Sequence, residues 1–218
     1  MLQRRRGLPV LAQISGPAQE RSWALRRADF TSLGQALPRL QARQVVLVAG
    51  EEGAPALAAI ALATAATAAG RRTVLVDCDL ARPRVAGHLG LTAAPGLHEY
   101  LRWEAEPADV LQPVVLAGPA AAEASEPLVC ICAGRPATKA ETLLGLQSFS
   151  HMLGKLRGAY ELVLVLAPPV MTEPVACLAV ARQVDAVVAG LADGSDRSLE
   201  AAIRQLPAPV LGAIKLST

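Results

Sequence analysis

Six short runs, at 45–49, 73–76, 128–132, 162–166, 186–191 and 209–214, are apolar at nearly every position, without the alternation of a half-solvated strand. Strands of that kind are covered on both faces. Between them the sequence predicts helices near 56–69, 140–157, 173–183 and 196–206, and one near 20–40 ahead of the first strand. Strand and helix in alternation give an α/β fold, a mainly parallel doubly wound sheet with right-handed crossovers. In such sheets ligands sit at the carboxyl ends of the strands. Those ends carry AGEEGAPA after the first run, DCDLARPR after the second and APPV after the fourth.

The remaining totals narrow the functional classes. At 218 residues and 52% hydrophobic content, the chain is long enough for one sizeable core. Its net charge is only +2, with basic residues gathered early at Arg4, Arg5, Arg6, Arg21, Arg26 and Arg27. Aromatic residues make up 3% of the chain, which argues against base stacking, and no nucleic-acid partner is expected. Cys78, Cys130, Cys132 and Cys177 lie in or beside apolar runs without zinc-site spacing, so they read as reduced core thiols of a cytoplasmic protein. His88, His98 and His151 show no ligand spacing with them, and no metal site is expected. No stretch has the continuous apolar length of a membrane span. The domain reading is a basic arm over 1–19 followed by a single α/β domain over 20–218. The 118–127 segment reads as a small-residue loop, and Ser195 and Ser198 as helix caps.

The order and spacing of several blocks, AAGRRTVLVDCDLARPRVAGHLG, GLHEYL, LVCICAG and YELVLVLAPPV, resemble those of the bacterial tyrosine kinases. That family belongs to the MinD/ParA-like class of P-loop proteins, and many members serve capsule or exopolysaccharide synthesis. GLPVLAQI, at 7–14, resembles the segment that follows the second membrane helix of a polysaccharide chain-length regulator in fused members. By this resemblance, Asp77 and Asp79 correspond to carboxylates near magnesium and the attacking group. Ala81 replaces a family arginine, while Arg82 and Pro83 remain.

Elsewhere the pattern is broken. The phosphate loop would comprise Gly50, Gly53, Ala54, Pro55 and Ala56, with Pro55 at the lysine position and Ala56 at the Ser/Thr position. Neither Lys, Ser nor Thr occurs between Val45 and Ala63. The lysine reaches the β and γ phosphates and the hydroxyl holds Mg²⁺, whereas proline lacks even an N–H. Glu51 and Glu52 add repulsion: a carboxylate about 5 Å from a phosphate charge costs on the order of 3 kcal/mol at an effective dielectric of about 20. Losing the lysine removes roughly 1.5 to 3 kcal/mol more. Both glutamates read instead as favouring the helix start through its macrodipole. Leu166 stands where the family has a magnesium-linked aspartate, and Ala167 where it has a threonine. The ring-forming glutamate and two arginines fall on Ala28, Thr31 and Gly34, and the two tyrosines, Tyr100 and Tyr160, form no phosphorylation cluster. Lys139 and Glu141 lie where the family has an Asn-Pro helix start, and carry no role over from it.

The expectation is therefore a pseudokinase with no cofactor, its Asp77 and Asp79 vestigial. It would serve as a binding or regulatory subunit in exopolysaccharide or capsule synthesis and export, and would not oligomerise through the family's ring signature. Expected partners are a chain-length regulator, an active kinase or a glycosyltransferase, the first of which would bring it to the inner face of the plasma membrane. Two alternatives stand beside it. One is a weak tyrosine kinase or ATPase that binds Mg²⁺-ATP through Asp77 and Asp79; the other is a positioning switch of the MinD/ParA kind.

Overall fold

The computed structural model describes residues 7–15, 25–117, 120 and 123–217. Eight strands form one sheet: β1 (Val10–Ser15), β2 (Val45–Gly50), β3 (Thr73–Asp77), β4 (Leu111–Val114), β5 (Leu128–Ile131), β6 (Leu162–Leu166), β7 (Ala186–Ala192) and β8 (Val210–Ser217). Their spatial order is β1-β8-β7-β2-β6-β3-β5-β4. Every neighbouring pair is parallel except β4 with β5. All six apolar runs are strands. Alternate residues point to opposite faces, so Val45 and Leu47 enter one core while Val46 and Val48 enter another.

One face carries α1 (Arg27–Ala36), a 3₁₀ turn (Leu37–Leu40), α2 (Ala54–Ala68) and α3 (Val85–Leu89). The other carries α4 (Leu97–Leu101), α5 (Pro107–Val110), α6 (Ala140–Leu144), α7 (Gln147–Ala159), α8 (Pro174–Ala181) and α9 (Arg197–Arg204). The helix expected over 140–157 is two helices, α6 and α7, separated by Gly145 and Leu146. Among the described residues of the expected 20–40 helix, helical structure begins at Arg27. α2 is apolar on all sides and nearly all of it is buried, as expected of a helix that runs through a core. Its alanines let it lie against the sheet and beneath α1.

Residues 10–15, within the expected 1–19 arm, belong to the sheet. They form an edge strand parallel to β8, with Ala12 and Ile14 buried. The pattern VLAQIS alternates and is short, so its strand character emerges only once β8 is beside it. Its outer edge is covered: the Gln13 N–H donates to Ser32 Oγ at 3.1 Å and the Ser15 N–H to Asp29 Oδ1 at 3.0 Å, both acceptors belonging to α1. Arg4, Arg5, Arg6 and Arg21 lie outside the described residues, as do residues 118, 119, 121 and 122 of the expected 118–127 loop. β4 is the other strand absent from the sequence reading; Pro113 within it disguises a short edge strand.

The opposite, N-terminal rim is fastened by Asp185. Its Oδ2 accepts from the Gln44 and Val45 N–H groups at 3.0 and 2.8 Å, and Arg157 donates to both of its oxygens. Partial burial disfavours the charge, but the Arg157 and backbone donors outweigh it and bring the Asp185 pKa down to about 2. A depressed carboxyl contributes stability above its unfolded pKa and loses it on acidification. Asp185→Asn is expected to lower stability by about 1 to 2 kcal/mol near neutrality, solvent screening included. Chemical denaturation of the two proteins should show this difference shrinking as pH falls from about 4 to about 2.

Candidate functional site

The carboxyl ends of β2, β3, β6 and β7 converge on the segment that joins β2 to α2. Here the backbone is crowded. A Cβ on Gly50 would stand 2.4 Å from the Gly190 carbonyl oxygen and 2.7 Å from Pro55 Cγ, and a Cβ on Gly190 would stand 2.7 Å from Pro55 Cα. Both glycines are therefore required by the approach of the first turn of α2 to β7. Pro55 occupies that turn and is buried, its fixed φ suited to a helix start. Ala56 is buried behind it. Glu52 adopts a left-handed φ of 55°, which costs a non-glycine residue about 1 kcal/mol.

Glu51 has a different task from the one its position suggests. Its Oε1 accepts from the Met171 N–H and from the Thr172 N–H, the latter at 3.3 Å. The carboxylate thus ties the loop after β2 to the loop after β6, and α2 has no acidic residue in its first turn. A cleft of about 340 Å³ beside it is lined by Glu51, Glu52, Asp193 and Asp196, with no basic residue in its wall. Asp196 is the cap of α9, accepting from the Ser198 N–H at 3.2 Å. Ser198 Oγ donates to the same carboxylate and Ser195 Oγ to the Ala192 carbonyl, so neither serine is itself the cap.

Asp77 ends β3 directly opposite Leu166 of β6, and Leu166 pairs in turn with Val48 of β2. Both oxygens of Asp77 are engaged, one by the Asp79 N–H at 3.0 Å and the other by the Val85 N–H at 3.4 Å. Asp79 accepts from the Arg82 N–H at 3.1 Å, and Arg82 reaches Thr172 Oγ1 at 2.9 Å. Burial pushes the Asp77 pKa up to about 7, the Asp79 charge adding to it against the backbone donors. Asp79 rises to about 6, chiefly by burial, with Glu173 assisting and Arg82 and Arg84 opposing. Asp77 and Asp79 are thus brought together at the mouth as the sequence places them, each fastening backbone. Leu166 is also at its expected strand end, buried, its carbonyl accepting from the Cys78 N–H.

One residue at the mouth escaped the sequence reading. Arg84 Nη1 lies 3.6 Å from where a Cβ of Gly53 would be, which sets a guanidinium over the loop from 31 positions further along the chain. The only sign in sequence is the second arginine of ARPR. All four cysteines are buried and unpaired in disulfides. His98 is partly buried and its Nδ1 lies 2.7 Å from the Arg135 carbonyl oxygen, an anchoring contact in place of an open helix surface. Among the described residues no group of three His, Cys, Asp or Glu is placed to hold a metal ion. No described helix is long and apolar enough to cross a membrane.

The architecture is that of a P-loop α/β protein, a central parallel sheet with the loop and its following helix at the β2 end. The septum site-determining protein MinD of Pyrococcus horikoshii, in complex with Mg-ADP, superposes with a TM-score of 0.59 at 16% identity, over 78% of this chain and 68% of that one. Within that class the chain has the fold of the bacterial tyrosine kinase domains. The kinase domain of Escherichia coli tyrosine kinase ETK gives a TM-score of 0.79 at 17% identity, covering 97% of this chain and 91% of that one. The BceF tyrosine kinase domain gives 0.75 at 19% identity, covering 96% and 93%. In sequence, no family model and no curated protein matches the chain.

The raised carboxyls make the mouth pH-sensitive. A carboxyl with an elevated folded pKa favours the folded state when protonated, and that advantage is lost as pH rises through its folded value. The thermal midpoint is expected to climb as pH is lowered from about 7.5 to about 5, across the Asp77 and Asp79 values. Scanning fluorimetry of Asp79→Asn should show a flatter profile over the same window.

Proposed function

We propose that this chain is a catalytically degenerate relative of the bacterial tyrosine kinases, a pseudokinase that acts as a binding or regulatory subunit in exopolysaccharide or capsule synthesis and export. The observation that carries the reading is the fit of Pro55 against Gly50 and Gly190, at the start of the helix where the phosphate loop of this fold ends. The residues there do not suit a magnesium-triphosphate group. Pro55 offers neither ammonium nor N–H, Ala56 offers no hydroxyl, and Leu166 cannot orient a hydrated cation. Both Asp77 oxygens already hold backbone donors. The adjoining cleft has carboxylates and no basic residue in its wall, so it opposes an anion. Since phosphoryl transfer rests on positioning and charge stabilisation, these replacements remove what the chemistry needs.

The preserved scaffold then serves recognition. A membrane-bound chain-length regulator, an active kinase or a glycosyltransferase would supply both the partner and the place, at the inner face of the plasma membrane. Ala28, Thr31 and Gly34 of α1 are exposed and carry no charge, which leaves assembly to other contacts than ring-forming ion pairs.

One observation favours the runner-up, a weak nucleotide-binding enzyme: Arg84 above Gly53 returns a cation to the loop from another segment. Isothermal titration with Mg²⁺-ATP decides between the two. The pseudokinase reading expects no saturation below about 1 mM. Micromolar binding that Arg84→Gln abolishes would establish the enzyme-like site instead.

A further inference from the structure

A second cleft opens at the same rim of the sheet, beyond the end of β5, between the α4 turn and the segment that leads into α6. Its volume is about 630 Å³, within the range of small-molecule sites. His98, Arg102 and Glu104 form one wall; Arg135, Lys139 and Thr142 stand on the other.

The walls are built to close tolerances. A Cβ on Gly96 would stand 2.4 Å from the Cys132 carbonyl oxygen, and one on Gly134, whose φ is +90°, would stand 2.2 Å from Glu99 Oε2. Glu99 is buried and fastens the two walls together, accepting from the Gly96 N–H at 2.8 Å and from Arg135 Nε at 2.7 Å. Glu104 accepts from Arg102 Nε and from Arg135 Nη2. Two guanidinium groups are thus held on either side of one exposed carboxylate.

The donors are not exhausted by these contacts. A guanidinium has about five N–H donors; the glutamates engage Nε and Nη2 of Arg135 and Nε of Arg102. Lys139 is exposed and has no ion pair among the described residues. The cleft wall therefore has three cations and one carboxylate, with the Glu99 charge behind it. Beside it, between Arg102 and Glu104, Trp103 is 82% exposed and held at a left-handed φ of 63°. An indole so exposed, in a strained backbone, offers a flat apolar surface next in sequence to two residues of the cleft wall.

We propose that this cleft binds a phosphate monoester carried on a ring, the phosphate on Arg102 and Lys139 and the ring in the remaining volume. An arginine fork matches the geometry of phosphate oxygens, a lysine adds a point charge, and the space exceeds what a bare anion needs. A free sugar phosphate and the phosphorylated aromatic side chain of a protein share this chemistry. The site is independent of the mouth and of the function proposed there.

The test is isothermal titration of the whole chain at low ionic strength with phenyl phosphate, glucose 1-phosphate, inorganic phosphate and glucuronate. Saturable binding of at least one ester is expected, weakened about tenfold or more in Arg102→Gln and in Lys139→Ala with the thermal midpoint unchanged. The tighter of the two esters identifies the source. Arg84→Gln, at the mouth, should leave this binding intact. The proposal is overturned if neither ester saturates by about 10 mM, if the two cleft variants bind as the parent does, or if Arg84→Gln is the variant that loses binding. Inorganic phosphate or glucuronate binding as tightly as the esters would also overturn it.

Discussion

The contact on which the rest of the molecule depends is the approach of α2 to the ends of β2 and β7. Pro55 lies against two glycine backbones, Gly50 and Gly190, at separations that admit no Cβ on either. Because α2 is nearly buried throughout, this contact fixes where the central helix enters the core, and interiors packed at crystal-like density tolerate little adjustment. The helix start is preserved as architecture. At this helix start Pro55 has no N–H to offer and Ala56 no hydroxyl.

Around that contact the loops at the sheet rim are sewn to one another by carboxylates. Glu51 holds the loop after β6, Asp77 holds Asp79 and the start of α3, Asp79 holds Arg82, and Arg82 returns to Thr172. These carboxylates all accept backbone N–H bonds. Such bonds satisfy donors that burial would otherwise leave unpaired, at the cost of holding charge in a desolvated place. The elevated Asp77 and Asp79 values express that cost.

Much of the fold was legible because burial on both faces writes a strand as a continuous apolar run, and β2, β3 and β5 to β8 all have that form. β1 and β4 lie at the sheet edges, where VLAQIS alternates and LQPV contains a proline, so neither carries the signal. The positions of Pro55, Leu166, Asp77 and Asp79 could be read from spacing, since strand ends locate them. Their contacts could not. Glu51 binding to the 171–172 backbone, Arg84 over Gly53, and the Glu99 clasp beneath the second cleft each join residues from 31 to 121 positions apart, and no local pattern encodes such pairings.

The α1 cover over β1 has a consequence for how copies of this chain or other proteins can meet it. Ser32 and Asp29 already occupy the outward N–H groups of Gln13 and Ser15, so that margin has few free rungs for a foreign strand. At the far margin β4 is four residues long and Pro113 deprives it of a donor. Both flanks of the sheet are thereby blunted against lateral stacking into fibrils, and higher-order assembly is steered to helix surfaces and the loop-bearing rim.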